Sequence, residues 1–142
     1  MISKDQLPDN IREIIRKQVD KFNIRVFTEE VNEIPNVADI PGEGSAKWLK
    51  IKDVICVFVD MKNSTKLSAS HHAGTTGRAY TLFTGTAVRL FKEFGASYID
   101  IKGDGVFALF NSNKVHAAFA SAVTFKTFIK EEFINLIKKK SL

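Results

Sequence analysis

The sequence predicts an α/β protein, specifically an α+β sandwich, on three observations. Residues 52–60 (KDVICVFVD) are nearly continuous in apolar, mostly β-branched residues, which marks a strand. Residues 96–102 alternate polar and apolar, then Gly103-Asp104-Gly105 signals a turn and 106–110 (VFALF) forms a second short strand, the pattern of an antiparallel hairpin. Segments of helical spacing precede, separate and follow these strands, so the order is helix, long connection, strand, helix, hairpin, helix.

Each element has its own justification. In 9–22 (DNIREIIRKQVDKF), Ile11, Ile15, Val19 and Phe22 recur at near-helical spacing, Ile14 widens the stripe, and Asp9 is placed as N-cap. The expected role is an ordinary packing helix, with self-pairing between copies as the alternative. Residues 32–47 hold Pro35, Pro41, Gly42 and Gly44, show no period, and read as a connection. The strand at 52–60 looks buried on both faces, which requires helices over both and makes Cys56 a packing residue. A polar loop (61–77) leads into a helix at 78–94 carrying Leu82, Phe83, Val88, Leu90, Phe91 and Phe94, stopped by Gly95. A last helix over 113–140, capped by Asn113, aligns Val115, Phe119, Ala122, Phe125, Phe128, Ile129, Phe133 and Leu136. Residues 1–47 thus form an N-terminal helix and linker, and 48–142 the main domain.

Composition narrows the class. With 142 residues, 44% apolar and 26% charged, one core is expected, and twelve phenylalanines point to ring-on-ring packing. No stretch is long and apolar enough for a bilayer span, and the N-terminus lacks a signal-peptide pattern, so a cytoplasmic protein without membrane contact is expected. The single cysteine excludes an internal disulfide and a multi-cysteine zinc site. A net charge of +5 favours polyanions in general, but Lys138-Lys139-Lys140 reads as a solvated helix end and no nucleic-acid signature is present.

Phosphate-loop, dinucleotide-fold and serine-hydrolase motifs are missing, and His71, His72 and His116 lack metal-ligand spacing. Two acids remain. Asp60 ends the most apolar strand and Asp104 occupies the hairpin tip, and a β-α-β crossover can place them side by side. Adjacent carboxylates repel and are stabilised by a shared proton or a cation; Mg²⁺ or Mn²⁺ suits oxygen ligands and leaves positions open for phosphate. Met61-Lys62-Asn63-Ser64-Thr65 follows Asp60 with small, hydrogen-bonding residues able to present backbone N–H groups to phosphate oxygens. Acid, phosphate loop and second acid describe a two-metal nucleotide site.

At these residues the chain resembles the catalytic domain of class III nucleotidyl cyclases. The matching stretches are VFVDMKNSTKLS with Asp60 and YIDIKGDGVFALF with Asp104, and the resemblance covers roughly residues 50–135. It is most similar to the short bacterial pyrimidine cyclases of the Pycsar antiphage systems. The resemblance implies a ferredoxin-like core of β-α-β-β-α order and two divalent ions on Asp60, Asp104 and the backbone carbonyl of Met61. It also implies β- and γ-phosphate binding by the amides of Asn63, Ser64 and Thr65, and a homodimer with composite active sites. The implied reaction is attack of a ribose 3′-hydroxyl on its own α-phosphate, giving a cyclic nucleotide (cUMP or cCMP) and pyrophosphate.

Adenylate cyclases of this family place an adenine-selecting lysine four residues before the hairpin acid. Here that position is Asp100, the nearby lysine is Lys102, and Ser64 replaces the usual aromatic residue. A pyrimidine nucleoside triphosphate, UTP or CTP, is the implied substrate, with Tyr98 and Asp100 as candidate base contacts on one face of their strand. The family's later strands and helix, with a transition-state asparagine and arginine, have no counterpart in 111–142, so the domain is expected to be C-terminally incomplete. Loss of one such donor commonly costs about 10²–10³ in rate. The alternative is a nucleotide-binding or dimerisation module without turnover. A phospho-acceptor domain and a diguanylate-type cyclase fit less well, because of the hairpin and the missing acidic turn signature.

Overall fold

The computed structural model describes residues 1–42, 44–62, 69 and 72–140. The chain is a mixed α/β protein, an α+β sandwich in its larger part, and divides into two compact units. The first comprises Met1–Val31 with Ile40–Lys50, the second Asn32–Asp39 with Ile51–Leu142.

In the first unit, helix α1 (Asp9–Phe22) spans the residues its periodicity predicts. Its N-cap is Pro8; Asp9, expected there, is the first helical residue and forms an ion pair with Arg12 instead. Proline fits that position because the orphan N–H groups begin just after it. The apolar stripe stays exposed, with Phe22 88% accessible. Strands β1 (Phe27–Val31) and β2 (Lys47–Ile51), which flank the expected connection at 32–47, form a two-stranded sheet. Ion pairs of Lys47 with Glu29 and Lys50 with Glu30 tie them. Polar alternation with little burial left no period to detect there.

The second unit is built on a three-stranded antiparallel sheet: β3 (Val54–Asp60), β4 (Tyr98–Lys102) and β5 (Gly105–Asn111), in spatial order β3-β5-β4. Helix α2 (Ala73–Glu93) crosses from β3 to β4, the hairpin returns as β5 between them, and α3 (Val115–Phe128) follows. This is the expected β-α-β-β-α order. Both outer strands run antiparallel to β5 and therefore parallel to each other.

The core lies on one sheet face. Ala79, Phe83, Ala87 and Phe91 of α2 meet Val106, Ala108 and Phe110 of β5 and Ala118 and Phe125 of α3, all buried. Phe83 stands edge-on to Phe125 with ring centroids 5.1 Å apart, and Phe133 packs at 5.8 Å from Phe83. The abundant phenylalanine thus makes the expected ring cluster, each pair adding about 0.5–1.5 kcal/mol beyond its buried area.

Four expectations are corrected here. Strand β3 is not buried on both faces: its residues alternate between exposed and half-buried, and Cys56 is exposed. Among the described residues of this unit, helices pack on one face of the sheet only, so the outward half of an apolar strand is left without a partner there. Helix α2 begins at Ala73, five residues before the expected start at residue 78, because Gly74, Thr75, Thr76 and Gly77 continue the backbone ladder while reading as loop. Asn113 does not cap the last helix; it sits in a 3₁₀ turn (Ser112–Lys114) and α3 starts at Val115. That last helix is also not one regular rod. A π-helical turn, Ile129–Phe133, joins α3 to α4 (Ile134–Lys140). Phe125 and Phe133 are buried, while Phe119, six residues before Phe125 in α3 and so on another side of that helix, is 72% exposed.

Helix α2 ends as Gly95 predicts. Its φ is +83°, its N–H donates to Lys92 and that of Ala96 to Phe91, both at 2.9 Å, closing the last carbonyls. The stop fixes where the chain enters β4, and so where the hairpin turn falls.

Candidate active site

The outer face of the three-stranded sheet, which no described helix of this unit covers, carries Asp60, Tyr98 and Asp100, with Asp104 in the turn at its end. In an antiparallel pair, residues directly opposite share a face. Cys56 faces Leu109, Phe58 faces Phe107, and Asp60 faces Gly105 on the β3–β5 side. Tyr98 faces Leu109, Asp100 faces Phe107, and Lys102 faces Gly105 on the other. Because side chains alternate along a strand, Phe58, Asp60, Phe107, Leu109, Tyr98, Asp100 and Lys102 project from one surface. Tyr98 and Asp100 share a face, as alternation predicts.

The register sets Asp60 opposite Gly105, next in sequence to Asp104, so both acids lie at one end of the sheet. Asp60 is exposed and Asp104 half-buried, and neither carboxylate pairs with a described residue. Met61, immediately after Asp60, is 7% exposed, its side chain anchored in the core cluster. That anchor fixes the backbone next to the first acid. Asn63, Ser64 and Thr65 lie outside the described residues, as does His71.

Both glycines of the turn have a geometric reason. Gly103 has φ +63°, a left-handed conformation that glycine adopts without steric cost. At Gly105 the reason is crowding: a Cβ there would lie 2.9 Å from Cζ of Phe58 and 3.3 Å from the carbonyl oxygen of Val59. The Phe58 ring therefore lies against the backbone between the two acids, although it is 60% exposed. Phe107 meets Tyr98 at 5.9 Å between ring centroids. Three aromatic rings thus cross the open face beside the acidic edge. Phe58 and Phe107 were not singled out from the sequence; period-2 alternation in VFVD and VFALF is the signal that marks them.

Asp100 and Lys102 form an ion pair at 2.7 Å on the same surface. The hydrogen bond from the Lys102 ammonium holds the Asp100 carboxyl below the usual carboxylate range, with the Coulomb attraction and the Ile101 N–H adding to it and desolvation opposing. The same hydrogen bond raises Lys102. Lys102 is thereby committed to Asp100 rather than to the acids at the sheet end.

The donor set suits a hard divalent cation. Asp60 and Asp104 lie at one end of the sheet, no described cation pairs with either, and the Met61 carbonyl adjoins the first. Mg²⁺ and Mn²⁺ prefer such oxygen ligands. Among the described residues no group of three or more His, Cys, Asp or Glu side chains is arranged for a metal. A separate groove of about 570 Å³ runs along α2, lined by Gly77, Arg78, Thr81, Gly85 and Arg89 among others, and holds none of the candidate residues. No helix among the described residues is long and apolar enough to cross a membrane.

Comparison with known proteins finds two curated relatives. The chain is 40% identical over 119 residues to a uridylate cyclase of Propioniciclava tarda, covering 83% of this chain and 38% of that protein. It is 39% identical over 95 residues to a uridylate cyclase of Micromonospora echinofusca, covering 66% of this chain and 31% of that protein. The chain therefore spans about a third to two fifths of the length of these curated relatives. No protein-family model matches the chain.

Proposed function

We propose that this chain carries the metal- and nucleotide-binding face of a pyrimidine nucleotide cyclase of the class III type, with UTP as substrate and cyclic UMP and pyrophosphate as products. The observation that carries this reading is the register that sets Asp60 opposite Gly105, beside Asp104, on a face that no described helix of this unit covers. The identity to two proteins named uridylate cyclase supports it and favours UTP over CTP.

In the reaction the ribose O3′ bonds to the α-phosphorus, the bond from that phosphorus to the bridging oxygen breaks, and pyrophosphate leaves. The O3′ proton passes to solvent. Asp60, Asp104 and the Met61 carbonyl would hold two divalent ions, Mg²⁺ or Mn²⁺, which supply a lowered pKa at O3′ and charge neutralisation at the pyrophosphate. The chain's own part is orientation. The acids fix the triphosphate end at one edge of the sheet, and backbone amides of Asn63, Ser64 and Thr65 would bind its outer phosphates. Tyr98 and Asp100, on β4, take the base, with Phe58 and Phe107 as its apolar floor. Holding O3′ against the phosphorus by such contacts is worth several orders of magnitude in rate. A homodimer would cover the open face with a second copy, and signalling in antiphage defence is the corresponding cellular role.

The test is incubation with UTP, CTP, ATP or GTP and Mn²⁺, reading cyclic product and pyrophosphate by chromatography. Cyclic UMP formed from UTP, and reduced at least about 10²-fold in Asp60→Ala and in Asp104→Ala, is the expected result. UTP binding without product supports the alternative of a binding module, and the lack of both product and binding overturns the reading.

A further inference from the structure

Lys102 has no part in the reaction as described, yet its placement is specific. Its ammonium lies 2.7 Å from Oδ2 of Asp100, while the Ile101 N–H donates to Oδ1 of the same carboxylate at 2.8 Å. Both donors come from β4, so the strand itself holds both oxygens. An aspartate on an open sheet face would otherwise exchange between rotamers, and fixing it in one costs entropy at the moment of binding. With two donors in place that cost is met in advance. The pair is open to solvent, Lys102 exposed at 69% and Asp100 half-buried at 30%, and ion pairs at the surface add little to folding. Stability therefore does not explain it.

Its position on the face does. Along β4, Asp100 stands between Tyr98, whose ring meets Phe107, and Lys102, which lies opposite Gly105 at the acidic edge. We infer that Lys102 is a positioning residue for base recognition: it fixes the Asp100 carboxylate as an acceptor for an N–H on the pyrimidine edge and does not bind the triphosphate. This inference rests on the cyclase reading and deepens it. An ionised carboxylate only accepts hydrogen bonds. Placed at N3 and not at the 4-position, where it would accept from the amino group of cytosine, it pairs with the N3–H of uracil and opposes the N3 lone pair of cytosine, and in that placement it selects UTP. Sites that read an N–H or O–H discriminate strongly against analogues lacking it, because the site's own polar group is left unpaired.

Calorimetric binding to the chain with Mn²⁺ tests this, using UTP, CTP and inorganic tripolyphosphate as probes. Lys102→Met is expected to weaken UTP about tenfold, as for one charge-assisted hydrogen bond, and to leave tripolyphosphate within about twofold. Lys102→Arg is expected to restore most of the loss. The double variant Asp100→Ala/Lys102→Met should bind UTP no more weakly than Asp100→Ala alone, since residues acting through one another are not additive. Tripolyphosphate weakened in parallel with UTP, additive losses in the double variant, no recovery with arginine, or a wild-type preference for CTP would each overturn the inference. Tripolyphosphate binding by the unaltered chain with no gain from the uracil base also overturns it while leaving the metal and phosphate site standing. Failure of the unaltered chain to bind any probe overturns the cyclase reading itself.

Discussion

The two faces of the β3-β5-β4 sheet contain the same kinds of apolar residue and have opposite fates. On the inner face Val106, Ala108 and Phe110 are fully buried against α2 and α3. On the outer face Phe58 is 60% exposed and Phe107 and Leu109 only half-buried, on the same surface as Asp60, Asp100 and Lys102. One residue of shift along a strand exchanges a packing role for a chemical one. The fold concentrates its stability on one side and leaves the other free to meet a ligand. Apolar surface left open beside Asp60 and Asp104, which pair with no described residue, marks a place where a ligand or partner would bind.

This contrast can be broken most severely from the inside. Phe91, fully buried, packs against Phe125 at 6.2 Å between ring centroids. Phe91→Ala should destabilise by about 3–5 kcal/mol, read as a lower urea midpoint with little change in m value. A loss below about 1 kcal/mol would mean that the inner face is not the core.

A smaller effect is expected at the seam between the faces. Replacing a strand glycine with alanine usually stabilises, by roughly 0.5–1 kcal/mol, because the unfolded chain loses freedom. At Gly105 the sign should reverse, since the added Cβ meets the Phe58 ring and the Val59 carbonyl oxygen. Overpacking costs about 1–3 kcal/mol, and the ring can swing into solvent, so the lower end applies. In a Phe58→Ala background most of the cost should vanish. A Gly105→Ala protein as stable as the parent would show that the ring does not rest on this backbone.

These positions also show what the sequence makes legible. The bounds of α1 follow from Ile11, Ile15, Val19 and Phe22, and the hairpin from alternation around Gly103-Asp104-Gly105, because both signals are local. The two acids could be paired from order alone, since a crossover between β3 and the hairpin leaves few arrangements. Burial of β3 could not be read, because Val54, Phe58 and their neighbours are equally apolar whether a helix or nothing covers them. The start of α2 was hidden by glycine and threonine, and the π turn by phenylalanines at 125, 128 and 133 that serve either phase. The Asp100–Lys102 pair needed the structure too: spacing places the two on one face, but only coordinates show them joined.

The central claim is that the acidic edge of the outer face holds divalent metal for a nucleotide. Titration of ¹⁵N-labelled protein with substoichiometric Mn²⁺ tests it most directly, because the paramagnetic ion broadens nearby amide signals. Broadening should centre on Asp60, Met61, Asp104 and Gly105, spare the amides of Phe91 and Phe125, and disappear in Asp60→Asn/Asp104→Asn. Broadening centred elsewhere, or unchanged in the double variant, would contradict the account.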